Sequence, residues 1–175
     1  MKILFLFLIL SGCASISEIS TLSPSSDISK IPSKSNKIIV ETKNMDSDNF
    51  IFCMKKLLEY EYEITSKDKE IGYILAEKKS KYDTYVKINV SFVSGNINII
   101  PSWKAGSESL MIASAVSGIN NIQSGWEPAI WSKSGSKPSV AFLEADKLAH
   151  SFNSIITYDH PEPKVYSKDS DPIYN

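Results

Sequence analysis

The chain has 175 residues, 42% of them hydrophobic and 22% charged, a length and composition that allow one ordinary globular domain. Its formal charge of −1 excludes attraction of nucleic acid by a bulk positive field, and we expect no nucleic-acid partner. All 19 basic residues are lysines, which argues against a site that grips phosphate with the bidentate fork of arginine.

The chain starts with an apolar segment behind a single positive charge. Lys2 is followed by eight consecutive apolar residues at positions 3–10, a pattern typical of a secretory leader. Eight helical residues rise about 12 Å, whereas the hydrocarbon core of a bilayer is about 30 Å thick. The segment therefore predicts a signal peptide and not a membrane-spanning helix.

A short motif follows the apolar segment. The sequence Leu10-Ser11-Gly12-Cys13 resembles the lipobox of bacterial lipoproteins, and the match covers residues 1–13. The resemblance implies that the leader, residues 1–12, is cut immediately before Cys13 and that lipid is attached to the Cys13 thiol. Two or three acyl chains would hold the protein durably at a membrane.

The residue after the lipobox cysteine bears on localisation. In the lipoprotein family, the absence of Asp at this position, here Ala14, implies sorting to the outer membrane of a Gram-negative host, facing the periplasm. We therefore expect the membrane, reached through the N-terminal lipid, to be one partner of this chain.

The domain boundaries follow from composition. Residues 13–36 hold nine serines, Pro24 and Pro32, which predicts a tether without a core. Residues 37–158 form the expected single domain. Residues 159–175 contain prolines and alternating charges without apolar periodicity, and they are expected to form a loose tail.

The first half of the domain alternates between strand and helix signals. Residues 37–42 are rich in β-branched side chains and predict a strand. A helix follows, with Asp46 or Ser47 as its N-cap. Its expected buried face contains Phe50, Met54, Leu57 and Leu58 at helical spacing. Between these lies Cys53, which we expect to be a small core residue. If Cys13 is acylated, Cys53 is the only remaining thiol, so the sequence predicts no intrachain disulfide.

The second half predicts further strands and a second helix. Strands are expected at residues 62–65 and 71–77, joined by a polar turn at 67–70, and at 85–93, where apolar and polar residues alternate. A hairpin leads into a strand at 97–100 that Pro101 should end. Helical spacing spans residues 139–158. The fold class is therefore α+β, an antiparallel sheet of about four to five strands with two main helices packed on one face.

The sequence contains few candidates for catalysis or metal binding. Its two histidines, His150 and His160, have no partner at metal-ligand spacing, and no motif of a nucleophile with its base occurs. The carboxylates of residues 59–63 are expected to be a solvated helix end. We therefore expect no enzyme, no metal site and no cofactor. The lysines of residues 78–81 have two open interpretations, a charged turn or a contact with anionic lipid.

The three tryptophans, Trp103, Trp126 and Trp131, are the candidate partner-binding residues. Tryptophan is enriched in binding hot spots and is also a large core residue, so both interpretations stay open. Residues 110–119 between them fit a core helix, a membrane-surface segment or a partner-docking loop.

These patterns favour a non-enzymatic scaffold or protein-binding domain held at the envelope, with an envelope protein as its partner. The alternative is a small-ligand or lipid-binding periplasmic module, with a pocket between the sheet and residues 110–119.

Overall fold

The computed structural model describes residues 28–80, 83–107, 125–132 and 135–159. The lipobox with Cys13, residues 110–119 and residues 160–175 lie outside this part of the chain. After a short 3-10 helix (Ile28–Lys30), the helices are α1 (Asp46–Glu59) and α2 (Lys137–His150). The strands are β1 (Lys37–Glu41), β2 (Glu63–Asp68), β3 (Tyr73–Ser80), β4 (Thr84–Val93), β5 (Asn96–Ala105), β6 (Glu127–Pro128) and β7 (Ile155–Asp159).

All seven strands form one antiparallel sheet in the order β2-β3-β4-β5-β1-β7, with β6 paired to β5. Since β4 occupies one edge of β5 along its whole length, β1 and β6 share the other edge, β1 at residues 96–99 and β6 at residues 102–103. The α+β class with an antiparallel sheet is confirmed. The expected count of four to five strands was too low.

One face of the sheet forms the core. In β4 the apolar residues Val86, Ile88 and Val90 are fully buried, while the alternate side chains are half-buried on the other face. Both helices cover the apolar face. The Phe50 ring of α1 lies 5.6 Å from that of Phe92, and the Phe142 ring of α2 lies 6.2 Å from that of Tyr158. In the described part of the chain, the opposite face of the sheet carries no helix, and we call it the open face.

Pro101 does not end β5, contrary to expectation. The strand continues to Ala105 because the Pro101 nitrogen, which cannot donate, does not face β4. In an antiparallel strand the nitrogen and carbonyl of one residue point to the same edge. The Pro101 carbonyl accepts a hydrogen bond from Ala129 N–H (3.0 Å), so its nitrogen also points to the edge where β1 stops and β6 begins. The ladder with β4 is therefore unaffected.

Helix α1 begins at Asp46 without a side-chain cap, so neither Asp46 nor Ser47 is the N-cap. Met45 holds the cap position, and the Asp46 carboxylate instead accepts a hydrogen bond from Gly95 N–H in the β4–β5 turn (3.1 Å). Phe50, Cys53 and Leu57 are buried, which confirms Cys53 as a core residue. Leu58 is exposed, contrary to expectation.

Helix α2 ends at His150, eight residues before the predicted end. Asn153 adopts a left-handed conformation (φ 50°), and the chain then turns back as β7, which pairs with β1. The β-branched residues 155–157 are therefore strand and not helix. On the N-terminal side, Ile31 is buried in the core, so packed residues extend into the segment expected to be tether.

Candidate functional site

The sheet has two ends with different surfaces. At one end β1 begins at Lys37 and β5 ends at Ala105, so the chain enters β1 there; we call this the entry end. At the other end β1 stops, β4 turns into β5 and β7 begins; we call this the loop end. The candidate residues divide between these ends.

The three tryptophans occupy different environments. Trp131 is 2% exposed, and its ring lies 6.2 Å from that of Phe142 in the core. Trp103 pairs with Val86 on the helix-covered face and packs against the core. Trp126 precedes β6 and lies over lysines of the open face. Of the three, Trp126 is the one that lies on the open face, away from the helices.

Lysines and aromatic rings alternate on the open face at the entry end. The Lys87 ammonium lies 4.1 Å and the Lys104 ammonium 4.5 Å from the Trp126 ring centroid. Lys104 also lies 5.1 Å from the centroid of Tyr85, and Lys79 lies 6.0 Å from it. Such positions allow cation–π attraction. We call these five residues, Lys79, Tyr85, Lys87, Lys104 and Trp126, the lysine–aromatic array.

Strand register assembles this array. Tyr85 of β4 is directly opposite Lys104 of β5, and Lys79 of β3 is directly opposite Tyr85. Residues two apart on a strand share a face, which adds Lys87. The pairing of Glu127 with Trp103 then brings the preceding residue, Trp126, onto the open face. The sequence alone did not single out Tyr85, Lys87 or Lys104, although the alternation of residues 85–93 places Tyr85 and Lys87 on the polar face. It did single out Lys79, within the lysine run of residues 78–81.

Carboxylates neutralise part of the array. The Lys87 ammonium lies 3.1 Å from Glu77, and the Lys79 ammonium lies 3.5 Å from Asp83. Lys104 forms no ion pair with any carboxylate of the described residues, and its ammonium is held between two rings. The array therefore presents a net positive charge, with Lys104 as the cation available to an anionic group.

The loop end carries exposed apolar side chains. Met45, Ile71, Val93 and Ile155 are 69%, 73%, 55% and 68% exposed. Beside Ile155 lies an open cleft of about 550 Å³. It is lined by residues 41–44 at the end of β1 and residues 152–155 at the start of β7, and it includes the charged Glu41 and Lys43. The pocket expected between the sheet and residues 110–119 lies outside the described residues.

The lysine run of residues 78–81 is divided between two environments. Lys78 is not at the surface: its ammonium lies 2.7 Å from the Glu144 carboxylate of α2, within the sheet–helix interface. Glu144 also accepts a hydrogen bond from the Ser80 hydroxyl (3.0 Å). Lys79 faces the open side. Lys81 is outside the described residues.

The buried titratable groups named here contribute to packing inside the domain. Burial raises the pKa of the Cys53 thiol from its ordinary 9.0 to about 12, which makes it unreactive. Burial, then the Asp146 charge, raises the pKa of Tyr158, whose hydroxyl donates to Asp146 (2.7 Å). The Asp146 carboxylate also lies 3.3 Å from His150 Nδ1. The hydrogen bond of Tyr158 to Asp146 joins β7 to α2. Within the described ranges no three His, Cys, Asp or Glu side chains cluster as metal ligands.

No helix in the described part of the chain is both long and apolar enough to cross a bilayer. Comparison of the chain with models of known protein families, with curated proteins and with solved structures finds no match.

Proposed function

We propose that this chain is a lipid-anchored envelope protein whose α+β domain is a non-enzymatic module that holds a protein partner. Residues 1–12 are the leader, and Cys13 carries the lipid that keeps the domain at the outer membrane, on its periplasmic side. The support for the anchor is the lipobox resemblance, and the support for partner binding is the surface of the domain.

The observation that supports the binding role is that the two ends of the domain have different surfaces. The chain enters β1 at the entry end, whereas four of the eight large apolar side chains exposed in the described residues lie at the loop end. Apolar side chains gathered at one end of a small domain favour an interaction site over an ordinary surface. A tether at one end and an apolar surface at the other suit a domain that meets its partner away from its own anchor.

The positions of the three tryptophans decide which residues remain candidates for contact with a protein partner. Because Trp131 is buried, Trp103 faces the helices and Trp126 lies at the entry end, we no longer place the protein-partner contact at the three tryptophans. The partner-binding surface is then the set of loop-end residues Met45, Ile71, Val93 and Ile155. The small-ligand alternative has one supporting observation, the cleft beside Ile155, which opens on this same surface.

Crosslinking in intact cells tests the partner site. Ile71 and Val93 flank the contact in which Phe92 N–H donates to the Gly72 carbonyl, so the pair Ile71→Lys and Val93→Lys places two charges in one patch. We expect this variant to lose the crosslinked partner band at least tenfold, because two desolvated apolar contacts become charged. The matched control is Ile51→Lys with Leu58→Lys, two exposed apolar residues of α1. Retention of the band by the loop-end variant, or equal loss in both variants, would contradict the proposed site.

A further inference from the structure

The lysine–aromatic array lies at the end of the domain where the tether enters. Strands β1 and β5 are antiparallel, so the start of β1 at Lys37 is at the same end of the sheet as Lys104 near the end of β5. Tyr85, near the start of β4, is opposite Lys104 and therefore shares this end. Fifteen residue steps separate Cys13 from Ile28, and such a segment spans at most about 50 Å. A lipidated Cys13 thus keeps the domain within about 50 Å of the membrane surface, and the chain enters β1 at the end of the sheet that carries the array.

The chemistry of the array matches an anionic lipid surface. Tryptophan and tyrosine favour the interface between headgroups and acyl chains, where an amphipathic ring meets both environments. Lysines near the membrane add attraction to anionic headgroups. Here Trp126 and Tyr85 are next to three lysines, and Lys104, without a carboxylate partner in the described residues, projects its ammonium between the two rings.

We propose that the lysine–aromatic array docks the domain on the anionic headgroup surface of the membrane that holds the Cys13 lipid. This inference rests on the proposed function, since it assumes the lipid anchor. Charge complementarity and the position of the array beside the tether favour lipid over an acidic protein as its occupant. Docking in this way orients the domain, because the loop end then points away from the bilayer toward a partner.

The expected energetics follow from the number of charges. One lysine near an anionic surface strengthens partitioning about fivefold, and reversal of its charge should therefore weaken docking about 25-fold. The Cys13 lipid keeps the chain on the vesicle in every variant, so the quantity to measure is contact of the array with lipid, and not binding of the whole protein.

Quenching of Trp126 fluorescence measures that contact. The lipidated full chain is reconstituted into phosphatidylcholine vesicles with or without about 30% phosphatidylglycerol. Both kinds of vesicle contain the same amount of phosphatidylcholine whose acyl chains carry bromine near the headgroup. We expect quenching in the anionic vesicles and its decline with added salt. Trp126→Phe identifies the part of the signal that belongs to this residue, since Trp131 is buried and Trp103 packs against the core.

Charge variants provide the specificity controls. Lys104→Glu should abolish the quenching. Lys79→Glu, at a half-exposed position at the rim of the array, should reduce the quenching, and it is the variant to use if Lys104→Glu perturbs folding. The matched control is Lys43→Glu, an exposed lysine of the loop end, which should leave the quenching unchanged. Circular dichroism verifies that each variant is folded.

The outcomes separate this inference from the proposed function. A chain that floats with the vesicles but shows no Trp126 quenching, or equal quenching by neutral and anionic lipid, would overturn docking while the anchor stands. Crosslinking of the array to an envelope protein, without quenching by vesicles, would assign the face to a protein and also overturn it. A chain without lipid on Cys13 would overturn both.

Discussion

At the scale of single residues, Cys53 shows how packing controls chemistry. Its side chain is fully buried in α1, among apolar residues of the core. A thiolate there would lose its hydration, so the folded protein keeps the proton to a much higher pH than the unfolded chain does. The consequence is an inert thiol and a dependence of stability on pH.

Stability should therefore fall in alkaline solution. The Cys53 pKa is about 12 in the fold and 9.0 ordinarily, so the unfolded thiol ionises first as the pH rises. The contribution is fully present below about pH 9 and is lost between about pH 9 and 12, with a slope of up to about 1.4 kcal/mol per pH unit. Tyr62 and Tyr158, whose pKa values are also raised, add losses above their ordinary value of 10.0.

Urea unfolding between about pH 8 and 10.5 measures this dependence. Cys53→Ala should reduce the slope between about pH 9 and 10, although its absolute stability is lower because of the cavity it leaves. An unchanged slope in this variant, or rapid reaction of the native thiol with a disulfide reagent, would show that the thiol is not buried as described.

At the scale of elements, β3 and α2 are joined by a buried ion pair. Lys78 lies between Glu144 and the Tyr62 ring, 4.6 Å from the ring centroid, and also donates to the Tyr60 carbonyl (3.3 Å). The side chains of Lys78 and Glu144 are only 13% and 8% exposed. Because several acceptors surround the ammonium, the pair is satisfied; removal of one partner leaves a buried charge.

Glu144→Leu should destabilise the domain by about 3 kcal/mol or more, since it leaves the Lys78 ammonium buried without its carboxylate. The free energy of unfolding in urea measures the effect. Adding Lys78→Met should recover most of the loss, because an apolar pair of similar volume replaces the ion pair. Glu59→Leu, which breaks the exposed pair with Lys56, is the matched control and should have little effect. Equal effects of the two single variants would refute the description of this contact.

Local patterns predicted most elements but not those that depend on distant pairing. The alternation of β4 and the apolar spacing of α1 are properties of the segments themselves, and both were predicted near their observed bounds. The helical spacing continues past His150, yet residues 155–159 gain hydrogen bonds from β1, more than a hundred positions earlier. Strand β6 is two residues long and exists only because β5 offers an edge. No local signal contains that information.

At the scale of the whole molecule, the sheet separates two surfaces. The lysine–aromatic array occupies the entry end and the exposed apolar residues occupy the loop end. The sequence identified Trp126 as a candidate but could not join it to Lys104, because their proximity depends on the return of the chain as β6. It also could not separate Trp126 from Trp131, which is five residues away and lies in the core.

Both proposed surfaces depend on the membrane anchor, so the lipid on Cys13 is the central claim. Intact-mass analysis combined with fractionation of the wild type and Cys13→Ala tests it most directly. We expect a wild-type chain that begins at Cys13, carries a diacylglycerol, with or without a further acyl chain, and sediments with the membrane. Cys13→Ala should lack the added mass of the lipid and should no longer sediment with the membrane. A wild type that is water-soluble and unlipidated would contradict the account.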